Sequence, residues 1–266
     1  MYGKIRHICV KNLNRKLIIM KIKPIYLVLC LAISLLSACR SSNPEFTFHN
    51  YEQEFATKQP YSIKYSFIHI TNAYPNSTLE KIENFNRKVF FELEGDIPRS
   101  LEECIKLSCD KFCQEYRCNE KRIGESTYEL TKSSSIEVYD QTLAYTIEAY
   151  QYTGGAHGMT WLHGLNYSLE NGELLGLDDF FTKEQQAKLP KALVLLLCWQ
   201  KGLDGIDEAE LEKMGYDPKA IVATENFRVT STGIEFLYNP YEIGAYSLGK
   251  TIIKLPYAMI DQLLEL

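Results

Sequence analysis

His157 stands among glycines in the run Tyr150-Gln151-Tyr152-Thr153-Gly154-Gly155-Ala156-His157-Gly158. Glycine takes positive-φ and crowded backbone states cheaply, so Gly154 and Gly155 leave N–H groups open beside an imidazole. Such a setting suits an anion or a carbonyl oxygen. A second stretch, Tyr238-Asn239-Pro240-Tyr241-Glu242-Ile243-Gly244-Ala245-Tyr246, offers three phenols on a turn stiffened by Pro240. Tyrosine is rigid and amphipathic, which fits Tyr238, Tyr241 and Tyr246 to a protein face or a sugar ring. Their plainer use is to cover the end of a sheet.

Cys104, Cys109, Cys113 and Cys118 form a third constellation. Four thiolates can close a tetrahedral zinc site, although the spacing lacks the C-x-x-C pairs of zinc ribbons. Paired as disulfides they need a fold-back. On one helix Cys104 and Cys118 lie about four turns apart, too far to bond. A helical hairpin turning at Lys111 would join Cys104 to Cys118 and Cys109 to Cys113. Cys198, within an apolar run, reads as a buried thiol. His157 and His163 with Asp178 or Asp179 match no dedicated metal spacing, and no metal or cofactor is expected. Glu148 and Asp179 could hydrolyse a glycan in principle, as carboxylate pairs do. The catalytic signatures of serine hydrolases, metalloproteases, P-loop and dinucleotide enzymes are all missing, so no catalytic residue is assigned.

Alternating patterns supply the elements that must hold these groups. Leu143, Tyr145, Ile147 and Ala149 alternate up to the glycines, and Trp161, His163, Leu165, Tyr167 and Leu169 alternate after them. That is a long hairpin with a Gly-rich, His-bearing tip. Tyr61 to Ile70 reads as a strand, followed by a helix from about Leu79 with Thr78 as its N-cap. Residues 99–123 form a second helical region, and Ser135 to Tyr152 a strand. Asn171-Gly172 makes a tight turn. Thr182-Lys183-Glu184-Gln185 has capping-box form, and Pro190 fits the first turn of a following buried helix. Asp207 opens a short helix, Phe227–Thr230 and Ile234–Tyr238 form a hairpin, and Thr251–Leu255 a last strand before a terminal helix. The sum is an α+β fold with a mainly antiparallel sheet, packed helices and a helical segment bearing the cysteine cluster.

The N-terminal residues speak to location. Lys21 and Lys23 precede an apolar run from Ile25, which ends in Leu36-Ser37-Ala38-Cys39. A basic start, a short hydrophobic core and small residues describe a secretory signal, and the cysteine after Ser-Ala makes it a lipobox with Cys39 as lipid carrier. Translation starting at Met20 fits this signal. Disulfides persist in the compartment such a signal leads to, which favours bridges over zinc for the cluster. Residues 1–38 hold seven basic and no acidic residues of the chain's 29 and 34, leaving the remainder at a net charge of −12. Such a surface disfavours nucleic acid and anionic lipid, attracts a basic partner and keeps an exported domain soluble.

The two Tyr-containing blocks carry a resemblance. Tyr150 to Gly158 followed by Asn166, Asn171-Gly172 and Leu177-Asp178-Asp179-Phe180-Phe181 is similar to the RsiV-like family of extracytoplasmic domains. Asn226-Phe227, Thr230, Gly233-Ile234-Glu235-Phe236, the Tyr238 to Tyr246 stretch, Gly249 and Leu255-Pro256-Tyr257 continue it. In that family the domain occurs in lysozyme-sensing anti-sigma factors, in non-catalytic regions of peptidoglycan deacetylases and in lipoproteins. The N-terminal pattern marks a signal region at 1–38 and an anchor and tether at 39–58, followed by an N-terminal subdomain at 59–140, and the resemblance implies an RsiV-like domain at 141–266. With the lipobox and the missing catalytic signatures, the expected function is a non-catalytic binding module of the bacterial cell envelope, periplasmic or surface-exposed and on the membrane through lipid only. Its partner would be a basic protein such as a lysozyme, or a cell-wall glycan; the alternative is a hydrolase of envelope polysaccharide.

Overall fold

The computed structural model describes residues 43–118, 120 and 126–264. The signal region and Cys39 lie outside the described residues. Nine strands and five α-helices are present among the described residues. The larger sheet has six strands in the order β1 (Phe46–Phe55), β2 (Tyr61–Ile70), β3 (Tyr128–Tyr139), β4 (Thr142–Tyr152), β5 (Met159–Ser168) and β6 (Leu174–Leu175). Every neighbouring pair is antiparallel except β2 with β3. That parallel pair follows from the connection: α1 (Ser77–Phe91) and α2 (Leu101–Glu115) carry the chain back across one sheet face. The fold is α+β, as its alternating patterns imply.

The segment expected to be a tether contains β1, paired with β2 from Phe46↔Ile70 to Phe55↔Tyr61. Its side chains are mostly exposed, so it lacks the one-sided alternation by which a strand is recognised. Ser135–Tyr152, expected as one strand, is the hairpin of β3 and β4, turning at Asp140 with φ 53°. Asn76, rather than Thr78, caps α1, its side chain accepting from Leu79 N.

Two cores result. The first lies between the large sheet and the inner faces of α1 and α2. It gathers Ile63, Phe67, Tyr145 and Tyr167 with Leu79, Ile82, Phe90, Cys104 and Phe112. The second is built on α3 (Lys183–Gln200), which buries Leu189 and Ala192 through Cys198 against the sheet of β7 (Phe227–Val229), β8 (Gly233–Tyr238) and β9 (Thr251–Pro256). Thr182 and Gln185 form the expected capping box, but Pro190 lies inside this single helix instead of opening another. Asp207 caps α4 (Glu208–Lys213), and the last of the described elements is α5 (Ile260–Leu264). The cores divide between Leu169 and Leu177, whereas the expected boundary at 140 falls between the paired strands β3 and β4.

Three asparagines join β5 to the second sheet. Asn226 accepts from Gly164 N (2.9 Å) and donates to Leu162 O and Leu237 O (both 3.0 Å). Asn239 accepts from Leu162 N (2.7 Å), and buried Asn166 donates to Phe227 O (3.0 Å) and accepts from Val229 N (2.8 Å). A carboxamide carries the donor and acceptor of a peptide group, so these side chains satisfy backbone that no strand pairs. Gly164 permits the approach, since a Cβ there would stand 2.3 Å from Phe227 O.

Candidate binding site

The glycine tip and the Tyr238–Tyr246 segment meet in space. Pairing of β4 with β5 persists to Gln151↔Met159, so the intervening residues form a short loop at the sheet end. Gly154 and Gly155 both have φ 95°, a conformation that a side chain would strain. Tyr152 Oη donates to Gly155 O (3.1 Å). Gly158 is buried beneath Tyr150, whose ring a Cβ would meet at 2.4 Å. Two donors converge on its carbonyl: Tyr246 Oη at 2.5 Å and His157 Nδ1 at 3.0 Å. A carbonyl only accepts, so this contact needs a proton on Nδ1.

Tyr246 thereby holds His157 in place. Their rings stack with centroids 3.9 Å apart at 21°, and Tyr241 follows at 5.4 Å and 32°. Tyr241 has φ 73° and is 59% exposed. A β-turn fixes it, with Asn239 N donating to Glu242 Oε2 (2.7 Å) and Glu242 N to Asn239 O (3.1 Å). Buried Ile243 and its carbonyl, which accepts from Asp217 N (2.9 Å), anchor the far side. A bulky residue at positive φ is strained, so surrounding contacts impose this outward-facing ring. The outcome is a platform of three aromatic rings on two loops, with polar atoms at its rim.

Not every expected residue belongs to it. Tyr238 faces the second core, 3% exposed, and its hydroxyl donates to Val222 O (2.7 Å); burial raises its pKa above the ordinary value. Tyr238 ends β8, which is buried along its whole length, while Tyr241 lies in the turn that follows. Lys183 and Gln186 hold the Asp178 carboxyl below its usual range, and Asp179 accepts from Gly176 N (2.8 Å). Asp179 thus caps its turn, while Asp178 is held by two side chains of α3. Glu148 pairs with Lys250, so it and Asp179 serve different partners. Buried Cys198 accepts from Asp207 N (3.4 Å).

The cysteine cluster also differs from expectation. Helix α2 runs unbroken through Lys111, so the helical hairpin is not formed. Cys104, Cys109 and Cys113 carry unbridged thiols, and neither expected bridge is present. The Cys109 thiol contacts Tyr51 Oη at 3.8 Å, and burial pushes its pKa to about 11. The sequence reading passed over Asn166, Asn226 and Asn239 as structural joints. The signal available was their type: asparagine inside or just beside strands, where its β-propensity is poor.

Known proteins resemble this chain in two spans. Residues 48–160 match a family model described as deacetylase PdaC, and residues 178–258 match DUF3298, described as a protein of unknown function. These spans divide where the cores divide. The peptidoglycan-N-acetylmuramic acid deacetylase PdaC of Bacillus subtilis is 28% identical over 128 residues, 47% of this chain and 27% of the deacetylase. The chain thus spans about a quarter of that relative's length. Immunogenic protein MPT64 of Mycobacterium tuberculosis is 26% identical over 172 residues, 62% of this chain and 72% of its own. A crystal structure of a DUF3298 family member from Bacteroides fragilis aligns with a TM-score of 0.73 and 27% identity, over 83% of this chain and 93% of that one. A DUF3298 protein of Pseudomonas aeruginosa, at 17% identity and TM-score 0.61, over 83% and 94% respectively, shares the fold. The chain therefore stands among domains related to DUF3298 and to the deacetylase.

Proposed function

We propose that the chain is a non-catalytic binding module of the bacterial cell envelope, RsiV-like in character and anchored through lipid on Cys39. The observation that carries this reading is the His157–Tyr246–Tyr241 platform. Three rings from two loops are held together by hydrogen bonds, and the outermost is forced into solvent at positive φ. Exposed aromatic surface placed under backbone strain serves recognition better than stability. The named activity of the Bacillus relative, on a peptidoglycan sugar, supports an envelope setting. Glu148, Asp178 and Asp179 are each engaged in a pair or a cap, and no nucleophile and base are assigned to the platform.

The ligand is a cell-wall glycan or a basic protein of the lysozyme kind. Binding of the purified protein to insoluble peptidoglycan and, separately, to lysozyme distinguishes them. Tyr241→Ala and His157→Ala are expected to weaken whichever interaction is found by about tenfold or more. Their melting temperatures should stay near that of the parent. Unchanged affinity together with several degrees of lost stability would assign these rings to the scaffold and move the site elsewhere.

A further inference from the structure

The end of α2 brings two of the four clustered cysteines together in a way their spacing does not announce. Arg117 takes φ 51°, Cys118 N donates to Cys113 O (2.9 Å), and Arg117 N donates to Gln114 O (3.3 Å). These are the two reverse hydrogen bonds of a Schellman motif, with Cys113 three residues inside the cap and Cys118 two beyond it. Side chains at those two positions characteristically touch. Standard bond lengths and the 2.9 Å hydrogen bond place the two Cα atoms no more than about 6.8 Å apart. That is inside the range over which a disulfide closes without backbone movement. Tyr61 lies beside the same cluster: its phenol is raised above its ordinary value by burial and then by neighbouring Cys113, Cys109 and Cys118.

The other pairings fail on the same helix. Cys104 and Cys109 are separated by about 7.5 Å of rise and point to different sides. Cys109 and Cys113 are one turn apart, but their Cα–Cβ bonds both tilt toward the helix N-terminus and run alongside each other instead of converging. Cys104 lies against Pro98 O (3.4 Å) and Cys109 against Tyr51.

We propose that Cys113 and Cys118 are a disulfide site, formed by exchange with a small-molecule or protein disulfide. Cys113, the partly exposed member, attacks that disulfide as a thiolate, forming a mixed disulfide and releasing one thiol. Buried Cys118 then attacks the Cys113 sulfur, forming the internal bond and releasing the second thiol. Two cysteine thiols are oxidised, one external disulfide is reduced, and the two cysteine protons pass to the released thiols. The bond clasps the last turn of α2 to the entry of β2, because Gln59 N donates to Cys118 O (2.8 Å) and Gln59 Nε2 to Ser126 O (2.7 Å).

Incubating the full-length protein with oxidised glutathione, then unfolding, alkylating and mapping peptides by mass, tests this. The expected product is a single Cys113–Cys118 cross-link, with Cys104, Cys109 and Cys198 alkylated. The melting temperature should rise by roughly 4–8 °C, a gain that Cys113→Ser loses and Cys104→Ser keeps. Alkylation of both Cys113 and Cys118, a trapped glutathione adduct on Cys113, or a Cys109–Cys113 link would each overturn the assignment. Mapping of the parent protein decides the matter even if a variant folds poorly.

Discussion

At the scale of single residues, chemistry was easier to read than orientation. His157 and Tyr241 were recognisable because glycine and proline flanked them, and such punctuation marks loops. Tyr238 was grouped with them by proximity in sequence, yet three positions along the chain separate a core ring from an exposed one. His163 shows a titratable group whose environment has a measurable sign. Burial lowers its pKa below the ordinary 6.5, and His69 shifts the same way through burial and Arg87. The unfolded chain therefore holds the proton more tightly. The stability these neutral rings contribute is complete above about pH 6.5 and is lost as pH falls through the lowered folded value. The melting temperature should decline between about pH 7 and pH 5, and His163→Gln should flatten part of that slope. An unaltered slope in the variant would show that the ring is equally solvated in both states.

At the scale of elements, the amphipathic helices and the central hairpin declared themselves, while two segments did not. Strand β1 presents side chains to solvent on both faces, so periodicity could not reveal it; its place is set by backbone pairing and by Phe55 stacking on Tyr61 at 4.4 Å. Helix α2 was expected to fold back at Lys111, but Leu101–Glu115 contains neither glycine nor proline to turn it. Cap assignment is similarly local. Asn76→Ala should cost about 1 kcal/mol in chemical denaturation, since Leu79 N loses its acceptor. Thr78→Ala, at the position the sequence favours, should cost under about 0.5 kcal/mol. Equal losses would mean that the helix starts later than Ser77.

At the scale of the whole molecule, the α+β class was legible from alternation and caps, but the division into two cores was not. Hydrophobic pattern reports which residues are buried, not which partners they meet. The long-range contacts that separate the first core from the second come from the crossover of α1 and α2 and from the packing of α3 on β9. There Gln200 Nε2 donates to Ile252 O (2.8 Å) and Lys254 N to Gln200 Oε1 (2.9 Å).

The asparagine seam determines how such a molecule comes apart. Two hydrophobic clusters without a shared strand are two potential cooperative units, and Asn166, Asn226 and Asn239 couple them alongside the Tyr246–Gly158 contact and the Glu148–Lys250 pair. With the seam intact, calorimetry should record one transition whose calorimetric and van't Hoff enthalpies agree. Asn226→Ala strands Gly164 N and Leu237 O, and Asn166→Ala strands Val229 N and Phe227 O. The double variant should resolve into two transitions, the second core with α3 melting apart from the first. A single displaced transition in that variant would mean that apolar contact alone carries the coupling.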